Sequence, residues 1–70
     1  MPTVRFELEG DYIELNQLLK LVGLCGSGGI GKQIVASGAV SVDGHQELRK
    51  TAKIRSGQRV TLEDVEIQVQ

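Results

Sequence analysis

Tryptophan is absent from this 70-residue chain, and Phe6 and Tyr12 are its only aromatic residues. The core must therefore be built from Leu, Ile and Val, and any binding mode that relies on a row of aromatic platforms is disfavoured. A single cysteine, Cys25, excludes an intramolecular disulfide and points to a reducing compartment. Cys25 and the one histidine, His45, are too few ligands for a structural zinc site, so no metal and no other cofactor is expected. No apolar run approaches the roughly 18 residues that a membrane span requires, and the first residues carry no signal-peptide pattern. A cytoplasmic protein with no membrane partner is the expectation. Length adds a further limit. One domain over residues 1–70 is expected, and a chain this short buries only about 60% of its unfolded surface. That leaves little room for a deep substrate cleft, so the chain is not expected to be an enzyme.

The formal net charge of -1 conceals a segregation along the chain. Between Lys20 and Arg59 lie seven basic residues, Lys20, Lys32, Arg49, Lys50, Lys53, Arg55 and Arg59, against only Asp43 and Glu47. Outside that stretch, Arg5 stands against Glu7, Glu9, Asp11, Glu14, Glu63, Asp64 and Glu66. Such a chain can present one basic face to a polyanion despite its overall acidity. The alternative is that the charges only solvate separate surfaces.

Hydrophobic periodicity gives the element order. Val4, Phe6 and Leu8 alternate with charged residues, as in a half-buried strand that Gly10 ends. Asp11, three residues before Glu14, reads as a helix N-cap with a capping-box partner. Leu15, Leu18, Leu19 and Val22 then mark one apolar face of a helix, with Lys20 near its C-terminus, where the helix dipole explains it. Ser27 is placed to cap a second helix, with Ile30 and Ile34 as its buried side and Gly38 as a left-handed C-cap. Asp43-Gly44 between Val40-Ser41-Val42 and the next residues is a two-residue hairpin signal. Ile54, Val60, Leu62, Ile67 and Val69 supply the inward positions of further short strands, with a turn at Ser56-Gly57. The fold class is α+β: two short packed helices against a small, mostly antiparallel bent sheet.

Gly26-Ser27-Gly28-Gly29-Ile30-Gly31-Lys32 has the spacing of a phosphate-binding P-loop as far as the lysine. The next residue is Gln33, not the hydroxyl that would hold magnesium, and an amphipathic helix precedes the loop where a buried strand should be. The chain is also too short for the parallel sheet around such a site. A helix-helix connection whose glycines allow close packing fits better. Residues two apart on a helix differ by about 200°, so Gly28 and Lys32 are expected on the side opposite Ile30 and Ile34. A solvent-facing Lys32 beside free helix N-terminal amides could receive a phosphate.

Taken in order, these residues resemble a known family. A leucine-rich helix ending in Gly23-Leu24, Ser27 opening the next helix, Ile34-Val35-x-x-Gly38-x-Val40-x-Val42-Asp43-Gly44, and Gly57-Gln58-x-Val60-x-Leu62 resemble the RNA-binding domain of small-subunit ribosomal protein S4. The resemblance covers about residues 15–62 and is nearest to the small stand-alone bacterial S4-like proteins. It implies the fold often called the alpha-L motif and non-catalytic binding of structured RNA, such as ribosomal or transfer RNA, through backbone phosphates, with ribosome association among its implications. Carried over by position, the RNA-facing residues would be Ser27, Gly28, Lys32 and Gln33 at the second helix, and Asp43 and Gly44 at the hairpin. The basic residues Arg49, Lys50, Lys53, Arg55 and Arg59 would add to them. Family members usually carry Arg directly after the Ser, where this chain has Gly28, which removes a bidentate phosphate contact. The competing reading is a protein-interaction module that kept the scaffold while its RNA binding weakened. Asp43 and Gly44 also have a purely geometric explanation in the turn. Cys25 reads as a small packing residue.

Overall fold

The computed structural model describes residues 2–70. β1 (Thr3–Phe6) and β2 (Ile13–Glu14) precede α1 (Leu15–Leu21) and α2 (Gly28–Ala36). Five strands follow: β3 (Val40–Val42), β4 (His45–Gln46), β5 (Lys53–Ile54), β6 (Arg59–Leu62) and β7 (Val65–Val69). The main sheet has the order β1-β7-β6-β3-β4, antiparallel except for the parallel β1–β7 pair, and β2 and β5 form a separate two-stranded ribbon. The expected α+β arrangement with a mostly antiparallel sheet is therefore present.

The apolar positions read from the sequence converge on one core. Leu15, Leu18 and Leu19 of α1 are fully buried, together with Val35 of α2, Val40 of β3 and Val60 and Ile67 of the sheet. Ile54 turns in from the ribbon at 1% exposure, so the ribbon is fastened to the same core. Val4, Phe6, Leu8 and Cys25 pack around it, half-buried. Asp43 and Gly44 have φ of 52° and 84° between the paired residues Val42 and His45, the backbone of a type I′ hairpin turn. Gly38 follows α2 at φ 85° and donates its N–H to the Val35 carbonyl, which closes the helix as expected.

Two expectations fail, each for a tertiary reason. Asp11 and Glu14 form no capping box. Ile13 and Glu14 are drawn into the ribbon opposite Ile54 and Lys53, and the N-cap of α1 is Glu14, whose side chain accepts no capping bond. Two first-turn amides are satisfied instead by the segment that precedes β5: Leu15 N–H donates to the Ala52 carbonyl at 2.9 Å and Asn16 N–H to the Lys50 carbonyl at 3.2 Å. The second failure is Ile30, which is 47% exposed. The buried residues of α2 are Gly31 and Val35, with Ile34 half-buried beside them. A Cβ on Gly31 would stand 2.6 Å from the Asn16 carbonyl oxygen, so the two helix backbones meet at Gly31 and turn Ile30 outward. No helix of the described residues is long and apolar enough to cross a membrane.

Candidate nucleic-acid interface

Asn16, a residue given no role by sequence reasoning, joins the parts of the candidate site. It is the one buried polar residue recorded among those described, at 2% exposure. Its backbone N–H donates to Lys50, and its Nδ2 donates to the Gly28 carbonyl at 3.5 Å in the first turn of α2. The start of α1, the start of α2 and the segment carrying Lys50 to Lys53 therefore meet at one residue. The only signal in the sequence was a polar residue within the apolar face of α1.

Ser27 caps α2 as expected, its Oγ accepting from the Ile30 N–H at 3.2 Å. Lys32 and Gln33 are exposed on that helix. Gly28 is half-buried beside α1, and a Cβ there would come within 2.8 Å of Gln17 Nε2. Gly28, Gly29 and Gly31 are wound into α2 itself, so this segment does not form the loop that would cradle a nucleotide phosphate.

Lys50, Lys53 and Arg55 are exposed around the ribbon. Lys53 lies opposite Glu14 in the ladder, and both Lys53 and Arg55 lean on the Tyr12 ring. Arg49 is beside them but partly neutralised. Its guanidinium grips Glu47 with two hydrogen bonds, at 2.9 and 3.1 Å, while its own N–H donates to the same carboxylate at 3.0 Å. The Arg49 side chain holds the Glu47 carboxyl down at about 2, with the Arg49 backbone bond reinforcing it, and Glu47 in turn raises the Arg49 guanidinium above its ordinary value.

Asp43, Gly44 and Arg59 lie on the main sheet. Asp43 accepts from the Arg59 N–H at 2.9 Å and from Gln58 Nε2 at 3.1 Å. The Arg59 backbone bond, followed by Gln58, sets its carboxyl below the usual range. These bonds give Asp43 a turn-anchoring role, as its geometric reading anticipated. The Arg59 side chain is 3.7 Å from Glu66. Gln58 connects this group to the ribbon, because its Oε1 accepts from the Arg55 N–H at 2.7 Å. Among the described residues, no three His, Cys, Asp or Glu side chains gather so as to hold a metal ion.

With this geometry in view, comparison with known proteins identifies the family. The family model described as S4 domain matches residues 6–70. The chain belongs to the S4-domain family. The S4 chain is 45% identical over 58 residues to the Escherichia coli (strain K12) protein named "Putative RNA-binding protein YbcJ" and to YbcJ of Shigella flexneri, covering 83% of this chain and 83% of each relative. The solution structure of E. coli YbcJ, described as revealing an alpha-L motif involved in RNA binding, matches with a TM-score of 0.69 at 40% identity. That match covers 99% of this chain and 86% of YbcJ. The fold of this S4 chain is thus the alpha-L fold of the YbcJ structure.

Proposed function

We propose that this protein binds structured RNA, without catalysing a reaction on it, through the junction around Asn16. The observation that carries the reading is that Asn16 ties the capped start of α2 to the Lys50–Lys53 segment. On this reading Ser27, Lys32 and Gln33 on one side, and Lys50, Lys53 and Arg55 on the other, act together as a basic margin for backbone phosphates. Arg49 contributes less because Glu47 occupies its fork, and Asp43, Gly44 and Arg59 serve as the edge of this surface. The name of E. coli YbcJ as a putative RNA-binding protein, and the alpha-L motif involved in RNA binding that its structure shows, support the same reading on the same scaffold. Folded RNA such as ribosomal or transfer RNA in the cytoplasm is the proposed partner.

The test is fluorescence anisotropy with a structured RNA across a range of salt. Binding is expected to weaken steeply with salt, since phosphate contacts release counterions. Lys50→Ala combined with Lys53→Ala is expected to weaken binding about tenfold or more and to flatten the salt slope by about one to two. Absence of binding at low salt overturns the reading and leaves a protein-interaction module on an S4 scaffold. The two ion pairs that occupy Arg49 and Arg59, together with the missing guanidinium at Gly28, are the observations that favour that second reading.

A further inference from the structure

The outward face of the β2–β5 ribbon holds a feature that phosphate binding alone does not use. In the register Ile13↔Ile54 and Glu14↔Lys53, the isoleucine pair turns toward the core, Ile54 fully and Ile13 in part. Glu14 and Lys53 turn outward, and strand alternation places Tyr12 and Arg55, one step further, on that same outward face. The side chains meet there: Lys53 Nζ is 5.0 Å from the Tyr12 ring centroid and Arg55 Cζ is 5.9 Å from it. Both cations lie over the ring face, and Arg55 Nη1 also reaches the Asp11 carbonyl at 3.5 Å, which steadies the guanidinium there. Even so, Tyr12 remains 44% exposed.

We propose that Tyr12 is a stacking platform for one unpaired RNA base, with Lys53 and Arg55 receiving the phosphates on either side of it. The inference rests on the RNA-binding reading above and refines its ligand. Phe6, the other aromatic, is half-buried and packed on the core, so Tyr12 is the aromatic left at the surface. It sits within the basic cluster and not away from it. A tyrosine face stacks on any base; a base arriving there takes the place over the ring that Lys53 and Arg55 hold, and the two cations turn to its flanking phosphates. Glu14, opposite Lys53, repels phosphate further along the ribbon and confines the contact to the nucleotide at Tyr12. A single platform reads the presence of an unpaired nucleotide, not a sequence. The ligand is therefore a loop, bulge or end carried on folded RNA.

Because the chain has one tyrosine and no tryptophan, its intrinsic emission reports on Tyr12 alone. The experiment titrates the protein with an RNA hairpin bearing an unpaired loop and with a blunt duplex of the same stem, following tyrosine emission and anisotropy together. The hairpin is expected to quench Tyr12 as it binds, beyond its own absorption, and the duplex is not. Tyr12→Leu is expected to weaken hairpin binding about tenfold and leave duplex binding unchanged, while Tyr12→Phe retains the hairpin preference. Saturating hairpin binding without quenching overturns the platform and leaves RNA binding standing. An equal loss of hairpin and duplex binding in Tyr12→Leu also overturns it, because the ring then only positions Lys53 and Arg55. Absence of anisotropy change with either RNA overturns the parent reading and this one with it.

Discussion

Glu47 and Asp43 are carboxylates whose ionised form is written into the turns of the fold. Glu47 sits at about 2 against an ordinary 4.5, through its bonds to Arg49. Its folded value is the lower one, so its contribution to stability is fully present above about pH 4.5 and is lost as pH falls toward 2. Glu47→Gln is expected to flatten the fall in Tm over that interval, measured by circular dichroism. The effect should be small, because Arg49 is 80% exposed and its pair is screened by solvent and salt. Asp43 contributes with the same sign, since its carboxyl is also lowered. The turn role of Asp43 could be read from the sequence, but the partners that hold the two carboxylates ionised could not. Each depends on a partner brought near by a turn, Arg49 locally and Arg59 from 16 residues away.

At the scale of elements, the α1–α2 contact makes the sharpest distinction between glycines that look alike in sequence. Gly31 faces fixed backbone, with the Asn16 carbonyl oxygen 2.6 Å and the Asn16 Cα 3.2 Å from a hypothetical Cβ. Gly31→Ala is expected to cost about 1–3 kcal/mol in denaturant unfolding, because the helices must separate to admit the methyl group. Gly28 faces only the flexible end of Gln17 at 2.8 Å, which can move aside. Gly28→Arg is therefore expected to fold and to raise affinity for structured RNA about tenfold, by restoring the guanidinium that most family members carry after the Ser. Unchanged affinity in a folded Gly28→Arg would show that the start of α2 does not approach phosphate. The α1 face was legible from its spacing of leucines, as was the Ser27 cap. The α2 face was not, because its buried stripe is made of glycine and valine, and glycine carries no hydrophobic signal.

For the whole molecule, one core holds the sheet, the helix pair and the ribbon together. Ile54 is the ribbon's deepest anchor, at 1% exposure. Ile54→Ala is expected to lower unfolding free energy by about 2–5 kcal/mol. It should also weaken RNA binding under conditions where the protein stays folded, because Lys53 and Arg55 flank Ile54 on the strand. Retained affinity in the folded variant would show that the ribbon's position does not matter for binding.

The local pattern of this sequence determined the two helices, the Asp43-Gly44 hairpin, the inward positions of the strands and the family likeness. Each of these depends on neighbours within a few residues, where spacing and backbone preference act directly. Only the tertiary structure decided the start of α1, which borrows its capping partners from Lys50 and Ala52. It also decided the outward turn of Ile30 and the pairing that sets Tyr12 between Lys53 and Arg55. These features join residues 15 to 43 positions apart. Their energies come from amides, rings and backbones that meet only after the chain has closed on its core, so hydrophobic periodicity carries no trace of them.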